Sequence, residues 1–230
     1  MKRFTIGPSQ LGWLRGDCER CFLREVAHGV RRPGGPPDAF NLADGAMKRW
    51  FQGDPEKVHD LGVGPPFAVV EQGMHVESMP LSFPEFDVDL VVKGRLDALV
   101  RCGDEAWVVD YKTTSRAELA PRTYSPQLHA YAFALETPAA GTKAIDVDGL
   151  ALLIYRPEKF ACKPERKISG LYGPIEWLEV PRDRERFLET LRDVAALLSG
   201  AEQPAPNPKC AYCVYYGAVP FERAPVGGAA

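Results

Sequence analysis

Apolar and polar positions contrast most sharply from Val88 onward, where Val88, Leu90 and Val92 alternate with Asp89, Val91 and Lys93. A period of two marks an extended strand. After Gly94 the apolar set continues at Leu96, Ala98 and Val100. Gly103-Asp104 then reads as a turn, and Ala106-Trp107-Val108-Val109-Asp110-Tyr111-Lys112 as a second strand, which makes a β-hairpin. Further strands are expected over 150–155 and 175–180. Helical spacing covers 11–30, then 40–52 with Leu42, Met47, Trp50 and Phe51. The two helices are separated by the breaker-rich Arg31-Arg32-Pro33-Gly34-Gly35-Pro36-Pro37. Ser125-Pro126 reads as a helix start, with the helix running to Glu136. A last amphipathic helix spans 183–199, its stripe Phe187, Leu191, Val194, Ala195 and Leu198, with Gly200 as its cap. Pro204, Pro206 and Pro208 form a stiff connector beyond it. The expected class is α/β (α+β), a central mixed β-sheet flanked by helices.

Composition changes this picture little. The 230 residues suit one globular domain, and 45% hydrophobic with 26% charged residues is ordinary for a soluble fold. No apolar run approaches the roughly 18 residues of a membrane helix. Met1-Lys2-Arg3 has no apolar stretch behind it, so no signal peptide is expected and a cytoplasmic location is. The net charge of −3 gives nucleic-acid binding no support from bulk charge, so any such binding needs a local basic channel.

The sharpest chemistry lies between Gly94 and Lys112. Side chains alternate along a strand, so Asp110 and Lys112 share one face, while Trp107, Val109 and Tyr111 share the other, assigned to the core. Asp97 comes from the neighbouring strand, and two carboxylates on adjacent strands can converge on one ion. Oxygen ligands of this kind suit Mg²⁺ or Mn²⁺. Lys112 would stand beside a metal-activated water and stabilise developing negative charge. An Asp-x-Lys pair alone is commonplace on surfaces; a charged triplet closing an apolar strand, with a second aspartate beside it, asks for a reason. Gln127 and Tyr131, four apart, lie on one helical face downstream.

Gly94-x-x-Asp97 followed by Val109-Asp110-Tyr111-Lys112-Thr113 resembles motifs two and three of RecB-like nucleases of the PD-(D/E)XK superfamily, and Gln127-Leu128-His129-Ala130-Tyr131 matches the family's glutamine–tyrosine pair. The resemblance implies a restriction-endonuclease-like core in one domain, 1–230. It implies metal-dependent hydrolysis of DNA, with Asp97, Asp110 and the backbone carbonyl of Tyr111 as metal ligands, Lys112 as catalytic residue, and Gln127 and Tyr131 arranging the site and contacting DNA. Exonuclease action on single strands or ends is expected, in repair, recombination or CRISPR adaptation, alone or with a protein partner and without a membrane. The family's early-helix histidine falls on Arg49, and an arginine cannot ligate a metal. Arg49 and Lys48 are expected to contact phosphate instead, with Arg20 and Arg24 along the same basic channel. A catalytically degenerate relative that binds DNA or protein is the alternative. The histidines 28, 59 and 75 read as surface or loop residues.

Six cysteines include two C-x-x-C pairs, Cys18/Cys21 and Cys210/Cys213. Such pairs hold Zn²⁺ or an iron–sulfur cluster. Cys18-Glu19-Arg20-Cys21-Phe22 and Cys210-Ala211-Tyr212-Cys213-Val214-Tyr215 resemble segments of cluster-bearing nucleases of the CRISPR-adaptation and AddB types, which favours [4Fe–4S] over zinc. Those families place one cysteine early and three late; here the division is two and two. Either centre would clip segments 9–30 and 204–218 together. Cys102 and Cys162 are expected to be small buried hydrophobes.

Overall fold

The computed structural model describes residues 1–31, 38–51, 62–65, 67–115, 117–200 and 203–217. Positions 32–37 of the breaker-rich loop, Gln52, His59 and position 218 lie outside the described residues. Eleven described strands are β1 Lys2–Ile6, β2 Ala68–Gln72, β3 His75–Glu77, β4 Leu81–Phe83, β5 Val88–Arg95, β6 Ala98–Cys102, β7 Glu105–Thr113, β8 Gly149–Tyr155, β9 Lys159–Lys163, β10 Ile168–Tyr172 and β11 Ile175–Glu179. The main helices are α1 Glu19–His28, α2 Asp38–Phe51, α3 Ala120–Glu136, α4 Arg184–Ser199 and α5 Ala211–Gly217. The class is the expected one, mixed sheets flanked by helices.

The central sheet runs β11-β8-β7-β6-β2. The β6–β7 hairpin pairs Ala98 with Val109 and Cys102 with Glu105 around the Gly103-Asp104 turn. β7 and β8 are parallel, and α3 lies on the connection between them. A second sheet gathers on β5, with β1 parallel on one side and β3 and β4 antiparallel on the other. The sequence pattern did not reveal β1 to β4, which are short, nor the β9–β10 hairpin.

β7 is covered on both faces. Val109 and Tyr111 pack with Met47, Phe51 and Phe67. Ala106 and Val108, on the face of Asp110, join the larger core with Leu128, Leu152, Ile154 and Leu191. The face assigned to the core is buried as expected, and the face of Asp110 is buried as well, because a strand paired in parallel is sandwiched by its crossover helix. Cys102 is half-buried, and Cys162 is exposed, since β9–β10 stands off the sheet.

Two helix boundaries also differ. The helix expected over 11–30 is broken: a π turn Gln10–Leu14 and one turn Arg15–Asp17 precede an extended Cys18 (φ −164°, ψ 107°) that starts α1. α3 begins at Ala120, so Pro126 stands inside it and Gln127 in its second turn. Pro126 offers no N–H to the preceding turn. Buried Ala117 and Ala120 hold the added N-terminal turn in place. α4 matches expectation at both ends, with the Asp183 carboxylate accepting the Arg186 N–H at 2.9 Å and Gly200 left-handed (φ 80°).

His129 ties α3 to α4. Its Nδ1 donates to the Ser125 carbonyl (2.8 Å), and its Nε2 accepts the Asp183 N–H (2.8 Å), which is the neutral tautomer. Its ring stacks on Phe187 at 5.9 Å. Burial, foremost, holds its pKa below the usual histidine range. A lowered folded value means the native state keeps the ring neutral. The stability this contributes is present above the unfolded value of about 6.5 and is lost as pH falls below it. Melting temperatures taken from about pH 7.5 to 5 are expected to fall less steeply in His129→Gln than in the parent chain. Parallel slopes would refute that role.

Candidate active site

Asp110 and Lys112 lie near the C-terminal end of β7, and Asp97 lies between β5 and β6. Cross-strand pairing sets Ala98 opposite Val109, so the register carries Asp97 opposite Asp110 and within reach of the next residue, Tyr111. There Asp97 Oδ2 accepts the Tyr111 N–H at 3.1 Å. Asp110 is 1% exposed. Its Oδ1 accepts from Gln127 Nε2 at 2.9 Å. Its Oδ2 forms a close ion pair with Lys112 Nζ. The neighbouring Gln127 Oε1 is a buried polar atom without a hydrogen-bond partner.

α3 supplies a face of three residues. Gln127 reaches Asp110, Tyr131 Oη donates to the Arg95 carbonyl at 2.8 Å, and the Tyr124 ring lies 4.8 Å below Lys112 Nζ. Spacings of three and four put them on one side of the helix. His129 is on the opposite side, away from the carboxylates.

α2 contributes Lys48, whose Nζ lies 2.6 Å from Asp97 Oδ1 and 2.9 Å from Asp44 Oδ2. Arg49, next in sequence, is exposed. Lys48, not Arg49, therefore enters the site; sequence reading missed Asp44 as its second anchor, although their i,i+4 spacing signals a pair. Tyr124 and Gln72, whose Nε2 donates to Tyr111 Oη at 3.3 Å, had no motif to mark them. Arg20 does not extend this site, because its guanidinium donates to the Pro204 carbonyl at 3.1 Å.

Electrostatics follow from burial. Desolvation pushes the Asp110 carboxyl up to about 6, against the pull of Lys112 and with a push from Asp97. Burial works against charge on Lys112 and Lys48, but the carboxylates outweigh it and raise both. Burial, then Asp110, raises Tyr131.

The Sγ atoms of Cys18, Cys21, Cys210 and Cys213 are buried and lie within 4.8 Å of one another. Burial first, then its neighbouring thiols, pushes Cys21 up. Four thiols so placed ionise together only around a cation, so this donor set fits a bound metal.

A model of the PD-(D/E)XK nuclease superfamily matches residues 13–217. The chain belongs to that superfamily. No curated protein matches. Among solved structures, the crystal structure of SSO0001 superimposes with a TM-score of 0.52 at 15% identity, over 96% of this chain and 88% of that one. At that identity the likeness speaks for the fold. PD-(D/E)XK nucleases use divalent metals, and the carboxylate site fits one: Asp97 and Asp110 are hard oxygen donors, and Gln127 Oε1 beside them is a buried acceptor without a partner.

Two expectations follow. A Cβ on Gly94 would stand 2.6 Å from Pro8 Cδ, a rigid ring, and 3.4 Å from Tyr131 Cε1. Gly94→Ala is expected to cost about 1–3 kcal/mol in denaturant unfolding, with much of the loss recovered in Gly94→Ala/Pro8→Ala. Strictly additive losses would contradict the clash. Because Asp110 must ionise to bind a cation, Mg²⁺ or Mn²⁺ affinity by calorimetry is expected to fall up to about tenfold per pH unit below its value near 6, and to level above it. A flat profile would remove Asp110 from the ligand set.

Proposed function

We propose that the chain is a metal-dependent DNA nuclease of the RecB-like branch, similar to CRISPR-adaptation and AddB-type nucleases, built as one nuclease domain and acting as an exonuclease on single strands or ends. Repair, recombination or CRISPR adaptation would use such an activity. The observation that carries this reading is Asp110: a buried carboxylate gripped by Lys112 and Gln127 and set beside Asp97. A structural role alone gives little reason to bury it there, because burying a charge is costly unless it is paired.

Asp97, Asp110 and the Tyr111 carbonyl are the proposed ligands of Mg²⁺ or Mn²⁺, which supply a water of lowered pKa and a counter-charge for phosphate. Lys112 stabilises negative charge growing on the scissile phosphate. Gln127 orients Asp110. Tyr131 holds the Arg95 carbonyl and so the backbone leading to Asp97. Phosphates farther along the strand are proposed to meet Arg49, together with Arg122 and Arg186, which flank a cleft of about 450 Å³ on the far side of α3. A neutral-to-acidic chain binds DNA through such local groups rather than its overall field.

A second reading, a catalytically silent relative that binds DNA or protein, is favoured by one observation. Lys48 sits on Asp97, where a metal would need that oxygen.

End-labelled single- and double-stranded DNA incubated with Mg²⁺ or Mn²⁺ decides between them. The parent chain is expected to cut, and Asp110→Ala and Lys112→Ala each to lose at least about a hundredfold in rate. Binding without cutting by the parent chain would establish the silent reading. Cutting that survives Asp110→Ala would place the chemistry elsewhere.

A further inference from the structure

We infer that the four cysteines form a mononuclear site for one tetrahedral zinc ion, not the seat of an iron–sulfur cube. The Sγ atoms of Cys18 and Cys213 are 3.4 Å apart, those of Cys21 and Cys210 3.7 Å, and those of Cys21 and Cys213 3.9 Å. The widest of all the separations is within 4.8 Å. Four thiolates about 2.3 Å from a central zinc ion form a tetrahedron with edges of about 3.8 Å. A [4Fe–4S] cube interposes its irons and sulfides and spreads the four thiolates to about 6 Å. The observed separations bracket the first value and stop short of the second.

The backbone holds that spacing. Both pairs repeat one local geometry: the Phe22 N–H donates to the Cys18 carbonyl at 3.0 Å, and the Val214 N–H to the Cys210 carbonyl at 3.0 Å. Each first cysteine precedes a helix, and each second one lies within its first turn. Between the two knuckles, Arg20 Nη1 reaches the Pro204 carbonyl and Asn207 Nδ2 reaches the Asp17 carbonyl, each at 3.1 Å. These clamps flank both cysteine pairs. They hold the two cysteine-bearing segments against each other. Two knuckles giving two ligands each make the usual closed tetrahedral set. The sulfurs are also not bonded to one another, since all six cysteines are free. The zinc ion itself has no redox chemistry, so such a centre would clip the two segments together without an electron-transfer role.

The assignment stands apart from the carboxylate site and needs no cleavage assay. The full chain, purified under nitrogen, is offered Zn²⁺ or, in a parallel arm, ferrous iron with sulfide, then desalted and assayed for zinc, iron and acid-labile sulfide. The expected result is about one zinc per chain in the first arm and no retained iron or sulfide in the second. Co²⁺ in place of zinc is expected to give the intense visible bands of a tetrahedral thiolate set, unchanged in the exposed-cysteine control Cys162→Ser. Iron and sulfide retained at about four each per chain, with a broad visible band bleached by dithionite, would overturn the assignment. So would the absence of tetrahedral thiolate bands from the Co²⁺-loaded unaltered chain.

Discussion

A carboxylate removed from water at the end of β7 sets the terms for the surrounding structure. Asp110 lies under α3 rather than at a rim, and an unpaired charge there would cost several kcal/mol. Its partners must therefore come from elements that can reach it: Lys112 from its own strand and Gln127 from the crossover helix. Gln127 reaches Asp110 only if α3 comes down tightly on the sheet. That approach has its own steric conditions. A Cβ on Gly12 would lie 3.2 Å from Gln127 Cβ, and one on Gly94 would strike Pro8. Both glycines thus serve the same closure, with the N-terminal segment laid along α3 and β5.

The cysteine centre extends that closure to the other terminus. Gly12 packs on Gln127, and six residues later Cys18 turns extended and starts α1. The same short stretch thus touches the carboxylate-bearing helix at one end and the thiol centre at the other. Arg15 reinforces it by pairing with Asp193 of α4 at 3.3 Å. A metal clip here restrains more than the termini: it fixes the segment whose glycine allows Gln127 to reach Asp110. The two centres differ in chemistry, hard oxygens at one and soft sulfurs at the other, so one protein can hold different ions in each without exchange.

Much of this was legible in the sequence because it rests on local periodicity. Alternation gave the β6–β7 hairpin and its turn, and the apolar stripe from Phe187 to Leu198 with Gly200 gave α4. The spacing of Gln127 and Tyr131 gave one helical face, which the geometry of α3 matches. What stayed hidden depends on distant contacts. β1 pairs in parallel with β5 across more than eighty positions of sequence, and five residues carry no period of their own. The break at Cys18 was masked because the flanking apolar spacing is helical on both sides. Pro126 misplaced the start of α3, since a proline near a helix start carries the same letter inside or outside the first turn. Arg49 was aligned by a pattern of letters, whereas α2 turns its neighbour Lys48 inward.

Lys48 bears on how the carboxylate site would accept an ion. Three aspartates, Asp44, Asp97 and Asp110, meet two lysines there, so each lysine is already engaged by carboxylate. A divalent cation must take carboxylate oxygens from lysines already holding them, and a lysine left buried without a partner would make that exchange costly. Each lysine has a second anchor. Lys48 is shared between Asp97 and Asp44, and Lys112 lies over the face of Tyr124. A lysine that yields its carboxylate thus keeps an ion pair or a cation–π contact, and the exchange leaves no buried charge alone. Where the resemblance led to the expectation of a histidine stands Arg49, which is turned outward, while its neighbour Lys48 is turned in. The inner one is tethered by Asp44 one turn back on the same helix, so its alternative partner moves with it as a rigid unit of α2.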